Sequence, residues 1–135
     1  MERTKLFSGE KYVVLESYRK TGEGVQTTVW LVADGGLVYI RTDPRSGKVK
    51  RISRNPHVRI AAANMRGLVS GDWVDGEARL VEGEESERIL ELFRKKYGLQ
   101  YRLLMGMGRL RRFPPLQVIS IALRESIPHP QPVPA

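Results

Sequence analysis

Along most of the chain, apolar and polar residues alternate with a period of two, the spacing that puts successive side chains on opposite faces of an extended strand. KYVVLESYR (11–19) is β-branched and aromatic, KTGEG supplies turn residues, and VQTTVWLVA (25–33) resumes the pattern, which predicts a hairpin. In its second strand Val25, Thr27, Val29 and Leu31 share one face, and Gln26, Thr28, Trp30 and Val32 share the other. DGG (34–36) predicts another tight turn and LVYIRT (37–42) a third strand of the same meander. HVRIAAAN (57–64) puts Val58, Ile60 and Ala62 on one face. DWVDGEARLVE (72–82) alternates Val74, Gly76, Ala78 and Leu80 against Trp73, Asp75, Glu77 and Arg79; the glycine inside that pattern predicts a bulge or bend. LQVISIALR (116–124) ends the series, with Ile119, Ile121 and Leu123 opposite Val118 and Ser120.

Helical signals interrupt this pattern at three places. EESERILELFRKKY (84–97) has acids in its first turn, Arg94, Lys95 and Lys96 in its last, and Gly98 at its stop, with Ile89, Leu90, Phe93 and Tyr97 as the apolar face. QYRLLMGMGRL (100–110) predicts a second helix, ended by Pro114. Between the third and fourth strands, Ser46 is a good N-cap, Val49 and Ile52 lie three apart on one face, and Asn55-Pro56 closes the segment, so a helix of two turns is expected. Short antiparallel strands with few helices predict a mainly β fold, a small barrel of about six strands with two or three peripheral helices. No internal repeat interrupts it; residues 1–126 form one expected domain and 127–135 a Pro-rich tail.

Composition narrows the chemistry. A chain of 135 residues, 41% hydrophobic and 28% charged, supports one ordinary globular core. With no cysteine, a disulfide framework, a thiolate metal site and a cysteine nucleophile are excluded. His57 and His129 share no HxxxH or HxH spacing, so no metal site is expected. No apolar run reaches the length of a membrane span and MERTKLFSGEKY lacks the apolar core of a signal peptide, so the expected address is the cytoplasm, with no membrane partner. The net charge of +8 attracts anionic partners of any kind.

The charge is densest in TDPRSGKVKRISRNP (42–56). This is not a P-loop, which needs a glycine at position 42 and Ser or Thr at 49, where Thr42 and Val49 stand. It is short for a DNA-reading helix, no helix precedes it, and aromatics are 7% with no base-stacking pair on a strand, so nucleic acid is an unlikely partner. A short helix after a strand does direct free N–H groups outward, and Ser46 and Lys48 add a hydroxyl and a charge at that positive end, with Arg51 one turn beyond. On local features alone, a phosphate seat and a merely solvated basic helix are equally good readings.

TTVWLV, LVYIRT, SGKVKRISRNPHVRIA and GDWVDGEARLV, taken in order, resemble the pyridoxamine 5'-phosphate oxidase-like split β-barrel oxidoreductases, especially the small subgroup that uses the deazaflavin coenzyme F420 or a flavin. The resemblance covers residues 11 to 124. It implies a homodimeric FMN-binding split β-barrel with flavin mononucleotide or coenzyme F420 in a groove at the dimer interface. Thr42, Ser46 and Lys48 match the family's T-x-x-x-S-x-K phosphate segment, and Gln26, Thr27, Thr28, Val29 and Trp30 match the strand along the ring and ribityl chain. Lys50 and Arg51 match basic positions that meet a phosphate or the acidic tail of the deazaflavin, and Arg41 and Val49 are assigned to the same site. Gly47 stands where pyridoxamine phosphate oxidases often carry a second basic residue, and Gln26 where they carry an Arg. Their late Arg and His substrate signature has no counterpart in ESIPHPQPVPA, so oxidation of that vitamin is not the expected activity.

The resemblance therefore implies hydride transfer between the bound cofactor and a small unsaturated or otherwise electrophilic substrate, with the protein supplying position and electrostatics. No side chain stands out as a catalytic acid: Asp34, Asp75 and Glu77 read as solvated charges, and Tyr39 and Ser70 are the remaining proton sources besides water. The alternatives are an FMN- or F420-binding or storage protein without turnover, and a nucleic-acid binder using KVKR (48–51) and RLRRF (109–113).

Overall fold

The computed structural model describes residues 2–107 and 116–124. A short helix α1 (Glu2–Lys5) precedes the strands β1 (Tyr12–Tyr18), β2 (Gly24–Trp30), β3 (Val32–Asp34) and β4 (Leu37–Thr42). Helix α2 (Gly47–Arg54), strands β5 (His57–Ala63) and β6 (Val74–Val81), helix α3 (Gly83–Met107) and strand β7 (Gln117–Leu123) follow. Neighbouring strands pair antiparallel in the order β2-β1-β5-β6-β7-β4-β3. The first and last strands of that order are separated in sequence by Leu31 alone, so the sheet closes on itself through the chain. The result is a barrel, mainly β as expected.

This closure divides the strand predicted over 25–33. Its first part pairs with β1 and its last with β4, on opposite edges of the sheet, and the alternation of side chains runs through the change of partner unbroken. Seven strands therefore stand where about six were expected. Fully buried Leu31 at the junction has no ladder partner, and side chains from α3 satisfy its backbone. The Leu31 N–H donates to the Tyr97 hydroxyl (3.0 Å), whose proton is shared between the Leu31 and Lys11 carbonyls at 2.7 and 2.8 Å. The Lys96 ammonium donates to the Leu31 and Glu10 carbonyls at 3.0 and 2.5 Å.

The predicted faces are those that pack. Val13, Leu15, Leu31, Val58, Ile60, Ala62, Val74, Ala78, Ile119, Ile121 and Leu123 fill the barrel with Ile52 of α2. A second cluster, Ile89, Phe93 and Tyr97 of α3 with Val32, Tyr39, Val81 and Val118, lies between the helix and the outside of β3, β4, β6 and β7. Gly76 is no bulge: its ladder is regular, and a Cβ there would lie 2.8 Å from the Ile121 side chain and 3.0 Å from the Ala122 carbonyl. Gly98 ends the first helix as expected: at φ 1° and ψ −85° it is non-helical, and the residues from there to Met107 form the second expected helix, so α3 is two helices joined across a kink. No helix among the described residues is long and apolar enough to cross a membrane. The tail at 127–135, His129 and the basic run 109–113 lie outside the described residues.

Candidate functional site

The barrel is closed by chain continuity but open as a ladder. Strand β3 pairs only with Leu37–Tyr39 of β4, so Ile40, Arg41 and Thr42 have a strand partner, β7, on one edge only. Among the described residues, strand β2 pairs only with β1. Two strand edges thus diverge from Leu31. In this split lies a cavity of ≈ 270 Å³ lined by Thr28, Val29, Trp30, Arg41 and Leu116.

One wall of the cavity is an aromatic stack. The Trp30 and Tyr97 rings are parallel within 5° at 4.2 Å, and the Arg41 guanidinium lies 5.0 Å from the Trp30 ring centre and 5.6 Å from that of Phe93. Trp30 is half-buried. Gly67, at φ +85°, approaches so closely that a Cβ would lie 2.5 Å from the Thr28 hydroxyl oxygen. A side chain there would both strain the backbone and collide with Thr28.

Beyond the end of β4 comes the cationic turn. Buried Thr42 places its hydroxyl 3.3 Å from that of Ser46. Ser46 is the N-cap of α2 in backbone geometry, but its side chain makes no capping hydrogen bond and no acid occupies the first turn. The leading N–H groups of α2 keep their positive field, which favours an anion. Arg51 folds back over this turn: its Nε donates to the Ser17 hydroxyl at 2.7 Å, and a Cβ on Gly47 would lie 2.6 Å from its guanidinium. The basic group that is missing in sequence at Gly47 is thus supplied in space by Arg51.

Burial, then the charge of Arg51, lowers the pKa of half-buried Lys48. Burial, then Arg19 and Arg54, lowers that of Arg51. Among the described residues no carboxylate pairs with either cation. Two mutually repelling cations, unpaired with any carboxylate among the described residues, thus lie beside two hydroxyls bonded to each other and the leading N–H groups of α2, an arrangement that favours an anion.

The residues singled out in the sequence fall into groups. Thr28, Val29, Trp30 and Arg41 line the cavity, while Thr42, Ser46, Lys48 and Arg51 surround the turn at the start of α2. Val49 is half-buried and Lys50 is exposed. Thr27 faces inward with its hydroxyl oxygen buried and without a hydrogen-bond partner, and the Gln26 amide nitrogen is taken by Glu16 at 3.1 Å. The remaining acid candidates do not line the cavity. Tyr39 donates to Glu85 under α3, Asp34 pairs with Arg88, Asp75 pairs with His57, and Ser70 lies beside the Ala62 carbonyl. Ser17 escaped the sequence reading, signalled only as the polar residue at the end of the inward series Val13, Leu15, Ser17, and Tyr97 was read only as part of the apolar face of 84–97.

The chain is thus a small barrel split along one edge, with an aromatic-walled cavity in the split and a cationic turn at the start of α2. The family model for pyridoxamine 5'-phosphate oxidase matches residues 2–128, and the chain belongs to that family. Solved structures share the fold across nearly their whole length. A protein from Listeria innocua described as a putative pyridoxamine 5'-phosphate oxidase is 21% identical over 92% of both chains, with a TM-score of 0.66. The heme storage protein HutZ from Vibrio cholerae is 12% identical, covering 93% of this chain and 88% of its own, with a TM-score of 0.66. An F420 reductase is 13% identical, covering 90% and 92%, with a TM-score of 0.58. No protein of curated function matches the chain.

Proposed function

We propose that this protein is an oxidoreductase that binds flavin mononucleotide or coenzyme F420 in the split between β2 and β4 and transfers hydride to or from a small electrophilic substrate. The observation that carries this reading is the unneutralised donor set of Thr42, Ser46, Lys48 and Arg51 at the uncapped start of α2. Those groups fit a terminal phosphate: two hydroxyls, helix N–H groups and two cations without a carboxylate. The cavity beside Trp30 and Arg41 fits the flat ring and its chain.

The cofactor, when bound, supplies the hydride chemistry. The chain's own residues position it: Lys48 and Arg51 hold the phosphate, Trp30 walls the ring, and the buried hydroxyl of Thr27 is a further polar group on the same strand. Among the described residues that line the cavity, none is a carboxylic acid, histidine or cysteine. The exposed apolar side chains Met65, Leu68 and Val69, at 69%, 63% and 42% accessibility, lie on the 64–73 segment whose Gly67 touches Thr28. Their concentration beside the cavity supports a homodimer that covers it.

Titration of the protein with flavin mononucleotide and with coenzyme F420, side by side, tests the reading. Lys48→Ala is expected to weaken binding at least about tenfold while the melting temperature changes little, since the ammonium makes no hydrogen bond or ion pair among the described residues. Binding unchanged in that variant rejects the phosphate assignment. Tight binding without hydride transfer to any of a panel of enones, quinones and nitro compounds assigns the protein to cofactor storage instead.

A further inference from the structure

Strand β1 contributes no residue to the cavity lining, yet it pairs with β2, which does, and bonds Arg51 at the start of α2. Its residues 16 and 17 point to opposite faces of the sheet. Glu16 faces outward, but at 8% accessibility its carboxylate is buried beneath its partners. The Tyr18 hydroxyl donates to Oε1 at 2.9 Å, the Arg59 guanidinium donates to the same oxygen, and the Gln26 amide donates to Oε2 at 3.1 Å. Gly24 leaves room for this group, since a Cβ there would lie 2.5 Å from Oε2. Burial pushes the Glu16 carboxyl up, and the hydrogen bonds from Arg59, Gln26 and Tyr18 outweigh it, leaving an ionised carboxylate as the common acceptor. Arg59 is backed in turn by the Trp73 ring, 4.4 Å away.

Gln26 belongs to β2, which pairs only with β1 among the described residues. A strand bonded along one edge only is held in place by that ladder and by its side chains. Glu16 supplies a side-chain anchor for β2 from the side away from the cavity. Ser17 faces inward, fully buried, and its hydroxyl fixes Arg51 by the only hydrogen bond described for that guanidinium.

We propose that Glu16 and Ser17 are positioning residues for the cofactor site, Glu16 setting the β2 edge along the ring and Ser17 setting Arg51 at the phosphate. The inference rests on the function proposed above and assigns separate tasks to two neighbouring residues. Charge alone makes the opposite prediction for Glu16: removing a negative charge from the neighbourhood of a bound anion tightens binding.

The experiment measures dissociation constants of the intact protein and its variants for flavin mononucleotide and for riboflavin, which lacks the phosphate; coenzyme F420 and its phosphate-free deazaflavin core form a parallel pair. Ser17→Ala is expected to weaken binding of the phosphorylated member about five- to tenfold and leave the phosphate-free member unchanged. Glu16→Gln is expected to weaken both members by similar factors. Gln26→Leu, at an exposed strand position where folding is safe, reproduces that effect, and the double variant loses no more than either single one if Glu16 acts through Gln26. A merely structural role lowers the melting temperature without this split between the two ligands. Equal loss for both ligands in Ser17→Ala, or unchanged or tighter binding in Glu16→Gln, overturns the assignment while the proposed function stands. An unsubstituted protein that binds neither pair overturns the proposed function, and the assignment with it.

Discussion

At the scale of single residues, Tyr97 does the most for the least. One hydroxyl accepts from the Leu31 N–H and shares its proton between two carbonyls, at the one point where the barrel has chain but no ladder. Tyr97→Phe leaves these buried groups without that partner and is expected to cost about 1–3 kcal/mol in chemical denaturation. The same contact sets an alkaline limit. Burial pushes the Tyr97 hydroxyl from 10.0 up to about 12, and burial with the Glu16 carboxylate raises Tyr18 likewise to about 12. Because the neutral phenol is the form the fold prefers, this stabilisation is complete below pH 10 and is lost as pH rises through about 12. Denaturation midpoints should be flat in these groups up to pH 10.0 and fall above it, less steeply in Tyr97→Phe.

The elements show where pattern suffices. Period-two alternation assigned the inward faces of β5, β6 and β7, because burial of one sheet face is a property of every second residue. It could not show that 25–33 changes partners at Leu31, since a strand can switch neighbours without altering its alternation. Gly76 teaches the same distinction. Its omission of a side chain is visible in sequence, but the reason, the approach of Ile121 and the Ala122 carbonyl, belongs to the neighbouring strand. Gly76→Ala is therefore expected to destabilise by about 1–3 kcal/mol through overpacking, read as a lower urea midpoint at unchanged m-value. A bulge would instead have tolerated the methyl group.

For the whole molecule the question is how a basic barrel covers an open cavity. The proposed homodimer would bury the exposed apolar run Met65, Leu68 and Val69 beside Thr28. On that proposal, Leu68→Asp is expected to shift the protein to monomer in sedimentation analysis and to weaken binding of the proposed cofactor in parallel; a protein that is monomeric before substitution, or a variant that stays dimeric with full affinity, rejects this interface. The net charge of +8 acts at this scale too, attracting anions to the molecule without saying where they bind.

The sequence by itself determined that this is a mainly β chain without thiol chemistry, which residues face inward, and that positive charge concentrates between the third strand and the next. These depend on composition and on neighbours two or four positions away, which the chain carries locally. Only the tertiary structure decided that β2 and β4 part at Leu31 and that Arg51 reaches over Gly47 to Ser17. The bond between Arg51 and Ser17 joins residues 34 positions apart, and that between Gln26 and Glu16 crosses two strands. Such contacts follow from which strands become neighbours, and closing the sheet into a barrel settles that for all of them at once.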